Sequence, residues 1–392
     1  MRMRIQTQKN PSLRHVPANF ALRDDHVYGE IYCLNLDAIW IYLDIYMDTP
    51  KIVISDEILK LISTIDEFKG AWHAFGNLAP DTLNRLRKVA TVESIASSTR
   101  IEGAKLSDSE VEKLLVGVGL TSFHSRDEEE VAGYADAISL VFKSFNEINL
   151  TENHIRQLHQ ILLKYSGKDS RHRGEYKKLP NNVEAFDSNG KSMGVIFQTA
   201  TPFETPFKMR ELEEWFEKAE KEDLQHKLIL IAVFIVRFLA VHPFQDGNGR
   251  LSRIITTLLL LRAGYLYVPY SSLERVIEEN KDGYYLSLRR AQSTLETDNA
   301  QMAEWVLFFL SSLKSQADTL SAKLETEQSL LSIPTLSQAI LQACREHGKI
   351  TVRDIVSLTG ASRNTIKAHV QKLVRKKLLV REGKGKGAWY HS

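Results

Sequence analysis

The sequence predicts a mainly α-helical protein, a helical bundle with a single β-hairpin set into it and a small winged-helix unit at its C-terminal end. Three observations predict it. Apolar residues recur at threes and fours through most of the chain, as they do on the buried face of a helix. Within the helical body only one stretch, around Asp187-Ser-Asn-Gly190, reads as two short strands across a tight turn. And the charge changes sign near Pro334: residues 335–392 hold 12 Lys/Arg against 3 Asp/Glu, a balance of +9, which leaves −7 on the rest of a chain whose net charge is only +2.

The chain has 392 residues, 43% of them hydrophobic and 26% charged, enough for a sizeable core and for two or three domains. Its two cysteines, Cys33 and Cys344, exclude a disulfide framework, and no CxxC pair suggests zinc. No signal peptide is visible: Met1-Arg-Met-Arg lacks the apolar run that should follow. The most apolar stretch, Leu228 to Val241, is too short to cross a bilayer and contains Arg237, so it reads as a buried core helix. A cytoplasmic protein with no membrane contact is expected.

In chain order, residues 1–80 form an N-terminal helical region whose first 25 residues look irregular. Leu83, Leu86, Val89, Val92 and Ala96 predict a helix over about 82–103, stopped by Gly103. Ser107-Asp-Ser-Glu110 and Ser125-Arg-Asp-Glu128 read as capping boxes opening helices over Val111–Val116 and Val131–Phe145. Thr151–Tyr165 and Met209–Lys218 are two more helices, and between them Asn182–Phe186 and Met193–Gln198 form the hairpin, about 182–200. Leu228–Leu239 and Gly249–Arg262 flank a loop at 242–253. The polar, Ser/Glu/Lys-rich stretch 314–334 reads as a linker between a body at 81–313 and the C-terminal unit.

That unit, 335–392, reads as a winged helix-turn-helix. Its helices are Ala339–Glu346, Thr351–Thr359 and Asn364–Lys377, with a turn at Gly360-Ala-Ser362. Ile366, Val370, Leu373 and Val374 mark the apolar face of the third. Leu379–Glu382 and Ala388–His391 would pair as a wing. Arg363, Lys367, Lys372, Arg375, Lys384 and Lys386 would face the phosphates of duplex DNA, although such units also dock on proteins.

The loop His242-Pro-Phe-Gln-Asp-Gly-Asn-Gly-Arg-Leu-Ser-Arg253 concentrates chemistry. Gly247 and Gly249 permit the φ > 0 turn that makes N–H groups converge, and the helix start behind them offers free N–H groups and a positive dipole end to an anion. Arg250 and Arg253 suit bidentate grip on phosphate oxygens. Asp246 is a hard oxygen ligand fit for Mg²⁺ shared with phosphates. Asn248 can donate an amide hydrogen bond to phosphate. His242 titrates near neutrality and suits a general base. Phe244 packs inward and holds the loop. Each feature alone is more often structural; their joint occurrence within twelve residues points to phosphate chemistry.

The stretch resembles, position by position, the signature of the Fic family, HxFx(D/E)GNGRxxR. The resemblance extends over roughly residues 80–310. Ser98 to Gly103 resembles the family's inhibitory motif (S/T)xxxE(G/N), Gly174-Glu-Tyr-Lys177 its segment before the flap, and Tyr284-Tyr285 with Gln292 its nucleotide-proximal helix. The resemblance implies a Fic-type helical bundle and a protein adenylyltransferase using ATP and Mg²⁺. His242 would deprotonate a Ser, Thr or Tyr hydroxyl of a target protein. Asp246 would hold the metal. Asn248, Arg250 and the amides of Gly247 and Gly249 would bind phosphates, and Arg253 the γ-phosphate. Ser98, Glu102 and Gly103 would form a brake, with Glu102 on Arg253. Val195, Ile196 and Phe197 of the hairpin would serve as a flap pairing with the target's main chain. Tyr284 and Tyr285 read as readily as core aromatics. Relatives that pair leave room for a homodimer. Two other readings stay open: a nucleotide-sensing DNA-binding regulator, against which the intact His242 argues, and a Fic-type enzyme that removes AMP or transfers another phosphate group. The two glycines of the motif favour AMP.

Overall fold

A computed structural model of the chain describes residues 52–74, 80–117, 123–186, 192–223, 225–295, 297, 301–331, 334–376, 378–383 and 385–391; side chains are described except at 73, 74, 184–186, 192–196, 328–331 and 386. The first 25 residues, expected to be irregular, residues 187–190, expected to form the hairpin turn, and Lys384 lie outside the described residues, as do the side chains of Val195, Ile196 and Lys386.

Fourteen helices are described: α1 (Asp56–Ala74), α2 (Pro80–Ile101), α3 (Asp108–Val116), α4 (Arg126–Ser144), α5 (Glu152–Leu162), α6 (Thr205–Glu222), α7 (Lys227–Val241), α8 (Asn248–Arg262), α9 (Leu273–Glu279), α10 (Lys281–Thr294), α11 (Ala303–Leu331), α12 (Thr335–His347), α13 (Val352–Thr359) and α14 (Arg363–Arg375). The antiparallel hairpin is β1 (Val183–Phe186) with β2 (Ser192–Phe197), Val183 opposite Phe197 and Glu184 opposite Val195. None of the described helices is long and apolar enough to cross a membrane.

α7 is the axis of the body. A helix apolar on every side must be surrounded, and every residue from Leu228 to Leu239 is buried, with α6, α8, α10 and α11 packed around it. Arg237 is tolerated there because its guanidinium lies 4.3 Å over the ring of Trp215. One hydrophobic cluster runs from Ile58 to Leu324 and a second from Ile340 to Tyr390.

The helix starts follow the expected chemistry with one variation. Ser107 and Glu110 form a complete capping box at α3. At α4, Ser125 Oγ accepts from the Glu128 N–H, but the Glu128 carboxylate turns to the N–H of His124 instead of closing the box on Ser125. α2 ends at Ile101, so Glu102 sits just past the helix and Gly103 follows at φ +106°.

The stretch 314–334 departs from expectation. Most of it is the C-terminal half of α11, a single 29-residue helix. Leu313, Ala317, Leu320 and Leu324 are buried at helical spacing, and the Ser, Lys and Glu residues that suggested a linker coat its other faces. Beyond it, α12, α13 and α14 pack together beside a three-stranded sheet in the order β3 (Ile350–Thr351), β5 (Trp389–His391), β4 (Val380–Glu382). Two residues of β3 are too short a run to read from sequence.

Candidate active site

The loop 242–247 joins α7 to α8, and its conformation follows from its residues. His242 caps α7 in the left-handed region, at φ +51°, with its N–H on the Phe238 carbonyl. Pro243 cannot continue the helix. Gly247 takes φ +82° and begins α8 without any side-chain cap, so the first N–H groups of α8 face the loop unpaid by a neighbouring side chain. Gly249 is helical rather than at positive φ, contrary to expectation. A Cβ there would stand 2.2 Å from Glu102 Oε1, so the carboxylate end of Glu102 would have to give way.

Asn248 is buried and locks the loop: its Oδ1 accepts from the Phe244 N–H at 2.9 Å and its Nδ2 donates to the Phe244 carbonyl at 2.7 Å. Phe244 is fully buried, stacked on His159 with centroids 3.8 Å apart. Both residues therefore shape the site, and Phe244 has no surface left for a nucleotide.

His242 donates from Nδ1 to the Leu239 carbonyl at 3.3 Å, since a carbonyl can only accept. That leaves Nε2 with its lone pair. Burial, then the charge of Lys177, push the imidazole down to about 4. The ring is a fixed neutral tautomer at physiological pH.

Four charges form a closed ring at the mouth of α8. Arg126 of α4 donates to Glu130 at 2.7 Å and to Asp246 Oδ2 at 2.7 Å; Arg250 contacts Glu130 at 2.9 Å and Asp246 Oδ1 at 3.5 Å. Asp246 Oδ1 also accepts from the Gly247 N–H at 2.6 Å. Burial alone would raise the Asp246 carboxyl; Arg250, the Gly247 N–H and Arg126 outweigh it and hold the group below its ordinary value.

Arg253 faces α2, not α4, so the two arginines serve different neighbours. Its Nε donates to Ser98 Oγ at 2.7 Å, and its Nη2 donates to the Ser98 carbonyl at 2.9 Å and to Glu102 Oε1 at 2.8 Å. Burial would push the guanidinium down; Glu102 outweighs it, and the group is held up. Ser98 is fully buried, and Gly103 turns the chain away. Tyr284 is a core aromatic, edge-on to Tyr285 and Trp305, and Gln292 lies buried on the same helix, α10.

Some residues that build the site carried no usable signal. His159 of α5 accepts the Gly174 N–H at Nδ1 and donates from Nε2 to the Asp246 carbonyl at 3.0 Å, so it pins the loop from behind; burial pushes its ring down to about 4. A lone buried histidine on a helix face looks like any core histidine. In sequence Arg126 and Glu130 are indistinguishable from a solvated i,i+4 pair.

In the C-terminal unit Arg363, Lys367, Lys372 and Arg375 are all exposed on α14. They do not share a face. At about 100° per residue Arg363 and Lys367 stack one turn apart, and Lys372 lies about half a turn around from Arg363.

Residues 149–260 match the model of the Fic/DOC family. The match includes the loop 242–253; it excludes Ser98, Glu102, Tyr284, Tyr285 and Gln292. Protein adenylyltransferase Fic of Drosophila mojavensis is 27% identical over 206 residues, 52% of this chain and 38% of that protein. The protein of the same name from Drosophila virilis is 27% identical over 258 residues, 64% and 49% respectively. The chain thus spans less than half the length of these curated relatives. Among solved structures, a Fic family protein from Desulfovibrio desulfuricans G20 superposes with a TM-score of 0.57 at 22% identity, covering 88% of this chain and 98% of that one. A Fic domain containing signaling protein from Bacteroides thetaiotaomicron VPI-5482 gives 0.52 at 25% identity, covering 68% and 95%.

Proposed function

With residues 149–260 forming a Fic/DOC family domain, we propose that this chain is a protein adenylyltransferase that moves AMP from ATP to a Ser, Thr or Tyr hydroxyl of a target protein and is held back by Glu102. The observation that carries this reading is one juxtaposition: a neutral imidazole with a free Nε2 lone pair and an uncapped helix N-terminus, joined by a six-residue loop. Nε2 of His242 takes the proton of the target hydroxyl. The hydroxyl oxygen bonds to the α-phosphorus, and the bond from that phosphorus to the β-bridging oxygen breaks, releasing pyrophosphate. The α8 amides and Arg250 face the charge that develops on the phosphates. The target's main chain would add as a strand to the hairpin β1–β2, along Val195 to Phe197.

Mg²⁺ fits the donors present. Asp246 is a partly exposed carboxylate beside the α8 amides, and no group of three or more His, Cys, Asp or Glu exists among the described residues to cage a metal alone. One carboxylate plus phosphate oxygens and water is a Mg²⁺ donor set. Asp246 would hold the ion, which supplies charge neutralisation on the phosphates.

The test is intact mass spectrometry of the wild-type and Glu102→Gly chains after incubation with ATP and Mg²⁺. An added AMP is expected, far more on the variant. Nucleotide binding without any adduct would favour the sensor reading, and an added phosphate would favour another phosphotransferase.

Residues 335–392 we read as a winged helix-turn-helix with α14 as the reading helix. This is supported by the α13–α14 packing and by Arg363 and Lys367 exposed near the start of α14. The full chain is expected to bind duplex DNA with an affinity that falls steeply with salt. Arg363→Ala and Lys367→Ala should each flatten the log–log salt slope by about 1, and Lys372→Ala, on the far side, should leave it unchanged. No mobility shift at low salt would sink the DNA assignment and favour protein docking.

A further inference from the structure

A buried ammonium stands behind the candidate base. Lys177 is 3% exposed. Its Nζ donates to Asn181 Oδ1 at 2.8 Å, to Thr199 Oγ1 at 2.9 Å and to the Val241 carbonyl at 3.0 Å. Three acceptors saturate an ammonium's three donors. They come from three places: Asn181 precedes β1, Thr199 follows β2, and Val241 immediately precedes His242. Asn181 Nδ2 carries the connection on to the carbonyls of His242 at 3.2 Å and Phe244 at 2.6 Å. The backbone repeats it, with the Lys177 N–H on the Pro243 carbonyl at 2.9 Å and a bridge between Tyr176 and Phe244. Both feet of the hairpin and the loop that holds His242 therefore meet on one buried charge.

A cation held only by neutral oxygens is a costly way to fill space; an apolar side chain of the same length would do it more cheaply. Burial pushes the Lys177 amine down to about 8, with Glu204 opposing and Lys208 adding to the shift, so it still carries its charge at neutral pH. The charged groups that face His242 are Lys177, Glu102 from the end of α2 and Asp246 from the motif loop. Lys177 disfavours the protonated ring, and the two carboxylates favour it.

We propose that Lys177 is a positioning residue for the transfer step: it ties both feet of the hairpin to the loop that holds His242 and sets a positive charge behind that base. The proposal rests on the reading of His242 as the base. A target strand laid on β2 then presents its hydroxyl at a set distance from Nε2, because the strand's support and the imidazole hang from the same ammonium. A purely structural lysine would do the first and leave the chemistry of the ring untouched.

The test separates these. In the full chain, the His242 ring is titrated by NMR with labelled histidine, its signal assigned through His242→Asn. The wild-type midpoint is expected near the low value above. Lys177→Met should raise proton affinity at least about tenfold, by about one pH unit. Thr199→Val, which removes one acceptor and keeps the charge, should leave the midpoint in place. In a Glu102→Gly background, self-transfer of labelled AMP at saturating ATP should fall at least about tenfold in both variants, with ATP affinity unchanged, since the anion site is built by α8. A Lys177→Met titration that superimposes on wild type overturns the proposal. So does unchanged self-transfer in Thr199→Val. Should Lys177→Met fail to fold, Lys177→Arg serves: it keeps a charge, so it should hold the midpoint while misplacing the hairpin and slowing transfer, and a shifted midpoint there counts against the proposal. No transfer by the Glu102→Gly chain with Lys177 intact would count against adenylyl transfer itself, while the titration would still decide the role of Lys177.

Discussion

Glu102→Gly is expected to raise AMP transfer and self-modification by roughly 10- to 150-fold over wild type at equal ATP. The magnitude follows from what the carboxylate holds. Hydrogen bonds to charged groups contribute roughly 1.5–3 kcal/mol, and each 1.36 kcal/mol is about tenfold in rate or population. Glu102 occupies Arg253 Nη2, the group our reading assigns to the γ-phosphate, and its Oε1 lies over Gly249 in the first turn of α8. Nucleotide must displace it from both. After its removal Arg253 keeps its two contacts to Ser98, so the guanidinium stays in place for phosphate. The variant should also melt lower without nucleotide, because a cation 4% exposed has lost its counter-charge, and ATP should restore more stability to it than to wild type. Glu102→Gln, which keeps an acceptor and drops the charge, should fall between. Wild-type activity in Glu102→Gly at every ATP concentration would return Glu102 to being an ordinary residue past a helix end.

What could be read from the sequence divides along one line. His242, Asp246, Arg250 and Arg253 stand out in the sequence because their residue types suit phosphate chemistry and their spacing is local, and the structure places them on one loop and the helix behind it. Glu102 was legible only by resemblance, since nothing within its own segment names Arg253, 151 residues away. His159, Arg126 and Glu130 were not legible. Their roles exist only once α5 and α4 are packed against the loop, and the same residues on an unpacked helix are unremarkable. Asn248, expected on a phosphate, ties its own loop through Oδ1 and one Nδ2 hydrogen, a role its sequence position does not announce. The stretch 314–334 reads as a linker by composition, yet within it Leu320 and Leu324 are buried at helical spacing and continue α11.

Removal of His242, the base in our reading, should have the largest effect of all. His242→Asn is the sharper variant: asparagine tolerates the left-handed backbone at this position better than alanine does, so the loop is spared strain while the lone pair is lost. Transfer should drop by roughly 10²–10⁴-fold, the usual worth of a positioned general base, and the double variant with Glu102→Gly should be silent. ATP binding should persist, because in our reading the anion site is built from α8 amides and Arg250. The pH profile of the Glu102→Gly chain gives the independent check. A base works unprotonated, so the rate should hold as pH falls through 6.5, where an ordinary imidazole would already be lost, and decline only near about 4. Glu102 is one of the charges that favours the protonated ring, so its removal moves that limb lower still, not higher. An acid limb near 6.5, or a His242→Asn chain that transfers AMP within tenfold of its parent, would assign the base to another group.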